Sequence, residues 1–287
     1  MSDTTFNRPF PALTPTQRLH LEVYGYVVIE NAISADRVQQ LLDKTYELED
    51  LYRRTGEVVH PSCFMTGTSR EFFRIDNLPH VAPCYLGYVA DPYLVGLAEE
   101  AVGGEVRLEQ SDVHIRRPLP DVREARYGFH RGAGTHLMYT QRGLAQCQFV
   151  KTLTNLTDLG PDDGGTTVIA GSHKLTDVPS DALIAAAGDD PSLIHSVVAP
   201  AGSTLLFFES LIHSAGIIRS GRDRVLIIAG YTPTMFAPWQ GYDPDPQFLD
   251  EAPEHLRPLL TGSQRFHTGM RPRDLSEPAQ VLSTSSA

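Results

Sequence analysis

The chain has 287 residues, a formal net charge of −11 and 41% apolar residues. That length and apolar content suffice for a full hydrophobic core, while an acidic balance without a basic run argues against a nucleic-acid surface, which needs clustered Lys and Arg. The three cysteines, Cys63, Cys84 and Cys147, are widely spaced and odd in number, which excludes a disulfide framework or a zinc knuckle.

No run of about 18 apolar residues offers a membrane span. Met1 to Pro11 also lacks the cationic start and apolar stretch of a secretory leader, so a cytoplasmic protein is expected. After a tail over 1–13, Thr14 is placed to cap a helix running to about Val23, and Tyr26 to Glu30 reads as a strand. Ser34 caps the next helix, in which Val38, Leu41, Leu42, Tyr46, Leu48 and Leu51 recur with near-helical spacing. Glu57 to Ala82 is read as loop-rich, with a short strand near Phe72 to Ile75. Asp91 or Pro92 opens a further helix that ends at Gly103-Gly104, where glycine can adopt the left-handed cap.

Val106 to Arg116 alternates as a half-buried strand. Beyond it, Cys147 to Leu156, Thr166 to Ile169, His195 to Ala199, Ser203 to Phe208 and Arg224 to Thr232 are short apolar or β-branched runs separated by Gly, Pro and Asp. Strands punctuated in this way indicate a sandwich or barrel. The expected fold is therefore mainly β with flanking α-helices, a double-stranded β-helix (jelly roll, cupin-like), as one domain over 14–270. A tail over 271–287 follows and reads as disordered.

Three segments stand out for chemistry. Tyr127-Gly128-Phe129-His130-Arg131-Gly132 precedes the strands, Ile169-Ala170-Gly171-Ser172-His173-Lys174 closes a Gly-rich turn, and His213 ends the run that starts at Leu205. Arg224 follows 11 residues beyond His213. From about Thr14 to Pro233 this layout resembles the phytanoyl-CoA dioxygenase-like branch of the iron(II)/2-oxoglutarate oxygenases. The resemblance implies that His130 and His213 bind Fe(II), a metal suited to two imidazoles and a carboxylate on one face. It also implies that Arg224 clamps the distal carboxylate of 2-oxoglutarate, a task for which a planar, permanently charged guanidinium is suited.

Where the family has a carboxylate, in His-x-Asp/Glu, this chain has Gly132. Relatives with Gly or Ala there include halogenases, in which a halide fills the vacated place. The implied activity is oxidation of a C–H bond of a small organic molecule with dioxygen, by hydroxylation or by halogenation with chloride as an added ligand. Two other readings stay open. One is a catalytically silent, small-molecule-binding member of the fold, and the other a cupin-like metalloenzyme using another metal without 2-oxoglutarate.

Among the arginines, Arg224 is preferred to Arg219 and Arg222 because it begins the apolar strand Val225-Leu226-Ile227-Ile228, where an unpaired charge is costly. Thr152 or Thr154 could offer the co-substrate a hydroxyl from the barrel interior. Ser214 is the hydroxyl nearest the place, Ala215, where many relatives carry one. Glu209 is a possible third metal ligand, although four extended residues span about 13 Å, so it needs a kink at Ser210 to share an ion with His213; a hydrogen-bonding or substrate-contact role is the favoured alternative, because a four-residue offset puts both side chains on one face of a regular strand. His114 and His136 are weaker alternatives as ligands, and His173 is not assigned to the metal. Trp239, Phe236 and Tyr242 either form an apolar lid or pack the C-terminal segment.

Overall fold

The computed structural model describes residues 13–67, 69–132, 138–141, 144–147 and 149–262. His136, the N-terminal tail up to residue 12 and the tail over 271–287 lie outside them. The chain opens with α1 (Pro15–Tyr24), started by a reciprocal capping box between Thr14 and Gln17 and stopped by Gly25 at φ 85°. Strand β1 (Tyr26–Ile29) leads to α2 (Ala35–Thr55), whose N-terminus is capped by the Ser34 hydroxyl. Next come β2 (Met65–Thr66), β3 (Phe72–Asp76), α3 (Pro83–Val89), α4 (Pro92–Val102) and the long β4 (Val106–Arg116).

The second half holds β5 (Met138–Gln141), β6 (Leu144–Cys147), β7 (Val150–Asn155), β8 (Thr167–Ile169), α5 (Ser180–Asp189), β9 (Ile194–Ser196) and β10 (Thr204–Phe208). After these follow β11 (His213–Ser214), β12 (Arg224–Pro233), α6 (Pro246–Glu251) and α7 (Arg257–Thr261). The expected strands are found within a few residues of their sequence boundaries. Helices α3 and α5 carry no sequence signal recognised above. Each is short and packs through only a few side chains, so its periodicity is weak.

Seven strands form one antiparallel sheet in the order β1-β10-β7-β12-β4-β3-β2, and β11-β8-β9 form a smaller one. The two faces of the large sheet follow from alternation of side chains along each strand. One face buries Val27, Val113, Ile115, Val150, Leu206 and Ile227 against Leu41, Tyr85, Tyr88 and Leu94 of the helices. The opposite face packs Tyr26, Leu153, Leu205, Phe207 and Leu226 against Val168 and Leu211 of the small sheet and its flank. The result is the jelly roll expected, with helices packed on the outer face of the large sheet and the small sheet on its inner face.

Between β12 and β4 the register slips at Gly230/Tyr231, which pair with Gln110 and Leu108 and leave Glu109 as the extra residue of a bulge. Bulges of this kind re-aim side chains, often beside active sites. Here Glu109 and Lys151 lie directly over Gly230, where an added Cβ would overlap the Glu109 carboxylate. Only glycine leaves that space open.

Candidate active site

His130 and His213 face each other across an antiparallel bridge. His130 N donates to His213 O at 3.0 Å and His213 N to His130 O at 2.9 Å, with the ring centroids 4.4 Å apart. Each ring is oriented the same way: His130 Nδ1 lies 2.8 Å from Gly128 O and His213 Nδ1 lies 2.9 Å from Leu211 O. A carbonyl can only accept, so both rings carry their proton on Nδ1 and leave the Nε2 lone pair available, the tautomer a metal ligand needs. Burial holds the His213 ring below the usual imidazole range, with the nearby Glu209 carboxylate opposing. A ring kept neutral in this way favours a metal over a proton.

The bridge is braced from behind. Ser172 Oγ accepts from Ile212 N at 2.9 Å, and Ser214 Oγ accepts from Gly128 N at 2.9 Å. The Gly-Ser-His-Lys block thus has a mechanical role through Ser172. His173 itself stacks on Phe208, with its Nε2 at Glu22 O. Ser214 donates to Ala215 O at 2.8 Å and ties the two histidine segments together. Its single O–H is thus committed to the backbone and its remaining capacity is as an acceptor.

The distal histidine does not share a strand with Glu209. Strand β10 ends at Phe208, and Leu211 N bonds back to Phe208 O at 2.9 Å, so Glu209 and Ser210 form a turn before β11. The straight-strand separation does not apply. Glu209 is 5% exposed, and its backbone oxygen accepts from Gly132 N at 3.2 Å. A Cβ added to Gly132 would overlap Glu209 Oε2 and lie 2.5 Å from its carboxyl carbon. The space that a side chain at position 132 would enter is already filled by the Glu209 carboxylate. Among the described residues no three His, Cys, Asp or Glu side chains converge closely enough to hold a metal ion, so the histidines stand as a pair with this carboxylate beside them.

Arg224 is 3% exposed at the start of β12. Its Nη2 donates to Thr166 Oγ1 at 2.8 Å, while its buried Nε has no partner among the described residues. Burial, and secondarily Arg116, push the guanidinium down to about 9. His114 Nε2 and Asn155 Nδ2, on the strands either side of Leu226, are also buried without partners among the described residues. His114 is held well below its usual range by burial and by Arg74, Arg116 and Arg224, so it stays neutral. This group lies beside Arg224 and not in the histidine pair, which corrects His114 as an alternative ligand. A nest of orphaned donors around one buried cation is the arrangement that a carboxylate would satisfy.

Thr152 and Thr154 do not face this interior. Strand alternation turns them to the helical side, where Thr152 donates to Ala229 O at 3.3 Å and Thr154 accepts from Tyr88 OH at 2.7 Å. Their neighbours Lys151, Leu153 and Asn155 take the interior positions. Lys151 Nζ donates to Glu109 Oε2 at 2.8 Å and also to Gln110, and Gln110 donates to Asp112 at 2.5 Å. Tyr242 reaches Asp112 from the C-terminal segment and accepts from Arg74 at 3.0 Å. Burial and the adjacent Asp112 raise Asp76 to about 7, while burial raises Glu109 to about 7. Sequence reasoning missed this polar row because it is assembled from three strands and a loop. Phe236 packs against Phe149 in the helix-side core, whereas Trp239 is largely exposed.

Comparison with known proteins supplies a frame for this geometry. A family model described as phytanoyl-CoA dioxygenase matches residues 21–226. Dioxygenase cdmD of Talaromyces verruculosus is 23% identical over 257 residues, covering 85% of this chain and 81% of that protein. HygX from Streptomyces hygroscopicus, solved with nickel and 2-oxoglutarate bound, superposes with a TM-score of 0.61 at 22% identity, covering 79% of this chain and 90% of that one. The non-heme alpha-ketoglutarate-dependent carbocyclase SnoK from nogalamycin biosynthesis superposes with a TM-score of 0.58 at 18% identity, over 78% and 87% of the two chains. At these identities the two structures establish a shared fold.

Proposed function

We propose, because this chain belongs to the phytanoyl-CoA dioxygenase family, that it is an iron(II)- and 2-oxoglutarate-dependent oxygenase acting on a C–H bond of a small organic molecule. The observation that carries the reading is the histidine pair: both rings have Nδ1 committed to a backbone carbonyl, which makes Nε2 the nitrogen able to ligate. The family's metal would be held by His130 and His213, and the orphaned donors at Arg224 fit the carboxylate of the co-substrate. Iron(II), when bound, supplies the activation of dioxygen. The overall hydroxylation would convert substrate R–H, dioxygen and 2-oxoglutarate into R–OH, succinate and carbon dioxide.

The chain's own residues then have defined tasks. Thr166 orients Arg224, and neutral His114 adds a hydrogen-bonding atom without adding charge. Phe207, whose ring centroid is 4.8 Å from that of His213, walls the metal pair with Leu205 and Leu153 and keeps water out of the core behind it. The polar row of Lys151, Asp112, Arg74 and Tyr242 favours a substrate bearing hydroxyl or amino groups over a plain hydrocarbon. HygX has been solved with hygromycin B and SnoN with nogalamycin RO, two small-molecule ligands consistent with that direction.

Anaerobic titration with iron(II) and 2-oxoglutarate tests the reading. A metal-to-ligand charge-transfer band is expected for the wild type, with His130→Ala and His213→Ala each abolishing it. An unchanged band in both variants rejects the assignment.

A further inference from the structure

The pocket at Arg224 holds more buried hydrogen-bonding capacity than one guanidinium accounts for. Alternation along β12 puts Arg224, Leu226 and Ile228 on the face turned to the small sheet. Asn155 on β7 lies directly across from Leu226, which makes it a diagonal neighbour of Arg224. Such neighbours stand about 7–8 Å apart, within reach of a long side chain. Asn155 is 4% exposed, and its Nδ2 has no partner among the described residues. Its backbone is held on both sides, with N donating to Ser203 O at 2.9 Å and O accepting from Gly202 N at 2.8 Å.

We propose that Asn155 is a co-substrate-binding residue, whose side-chain amide donates to the distal carboxylate of 2-oxoglutarate alongside Arg224. The inference rests on the reading of Arg224 as the clamp of that carboxylate.

Three observations support it. A buried amide donor without an acceptor is costly, and this one neighbours a buried cation whose Nε is equally without one. Secondly, Arg116 on β4 is directly opposite Arg224. Like charges so placed repel, and neither guanidinium has a carboxylate partner among the described residues; Arg116 instead stacks over the Phe72 ring at 5.0 Å. A bound anion relieves that repulsion. Thirdly, the capacities match. A carboxylate offers about four acceptor sites, and Arg224 Nε, Asn155 Nδ2 and His114 Nε2 are three buried atoms with unused capacity around Leu226. A neutral amide suits the place, because it donates without adding a third positive charge.

Calorimetric binding of 2-oxoglutarate to the nickel(II)-loaded protein tests this without turnover. Asn155→Leu keeps the branched shape and removes the donor. It is expected to weaken 2-oxoglutarate about tenfold or more, the effect of losing a hydrogen bond to a charged group. Oxalate, which can chelate the metal but has no distal carboxylate, should bind wild type and variant alike. Asn155→Asp sets a carboxylate beside Arg224 within the protein itself. It should raise the melting temperature of the ligand-free protein and abolish 2-oxoglutarate binding, with oxalate binding retained.

Wild-type affinity for 2-oxoglutarate in Asn155→Leu or in Asn155→Asp overturns the proposal. Equal losses of 2-oxoglutarate and oxalate also overturn it, since they mark a general disturbance of the site. Should Asn155→Leu fail to fold, Asn155→Ala is read by the same criteria. Arg224→Met separates the two levels: if it binds 2-oxoglutarate as the wild type does, the clamp itself has been misassigned. If it loses 2-oxoglutarate while Asn155→Leu does not, only the role of Asn155 has failed.

Discussion

Arg224→Met removes a charge and keeps most of the side-chain volume, and it should separate binding from stability. In the ligand-free protein the guanidinium has one hydrogen bond, to Thr166, and an orphaned Nε. Its fall from 12.5 to about 9 corresponds to roughly 5 kcal/mol against holding the cation there. Removing it leaves the Thr166 hydroxyl without a donor, at a cost of about 1–3 kcal/mol. A net stabilisation of roughly 2–4 kcal/mol is expected, near the range seen when buried ionic groups are replaced by apolar ones. For a domain of this size that raises the melting temperature by roughly 5–10 °C.

The wild type behaves in the opposite sense once its site is filled. With 2-oxoglutarate at about 100 times its Kd, it gains about 2.7 kcal/mol, whereas Arg224→Met should gain almost nothing. Differential scanning calorimetry in the presence of nickel(II), with and without 2-oxoglutarate, measures both effects. A variant that melts below the wild type without ligand, or that retains the 2-oxoglutarate-dependent rise, refutes the picture of Arg224 as an unpaired cation awaiting a carboxylate.

Two further outcomes follow from the supports of the site. Burial, aided by Lys174, pushes His173 down to about 4, so the unfolded chain takes up a proton near 6.5 while the folded ring stays neutral. Stability from this group is complete above pH 6.5 and is lost as pH falls toward 4, by about 2 kcal/mol at pH 5. His173→Gln should flatten the dependence of Tm on pH between 4.5 and 6.5, and an unchanged slope would exclude His173 as its source. Ser172→Ala leaves Ile212 N without its acceptor, which should cost about 1–3 kcal/mol and loosen His213. Cobalt(II) titration should then show an affinity about tenfold lower, with the circular dichroism spectrum retained; unaltered affinity would limit Ser172 to a purely structural part.

The elements that the sequence made legible are those whose signals are local. Thr14 and Ser34 cap their helices because a hydroxyl in that position meets free backbone N–H groups one turn on. The boundaries of β4, Val106–Arg116, match the alternation of its residues. His130, His213 and Arg224 could be singled out because ordered motifs survive as spacing. Thr152 and Thr154 show where such reasoning stops. Strand alternation puts every second residue inside, but nothing within β7 says which set that is, and packing against Tyr88 and Ala229 decided it.

The sequence alone made the jelly roll legible, singled out His130 and His213, and showed that position 132 has no side chain to offer, since these are properties of residue identity and order. Only the tertiary structure decided what occupies the space beside Gly132. The turn after Phe208 sets the direction of Glu209, and a bridge between segments far apart in the chain sets its distance from the histidines. A backbone turn and a long-range pairing are three-dimensional consequences of packing, and no local pattern encodes the side chain that will enter a neighbour's missing volume.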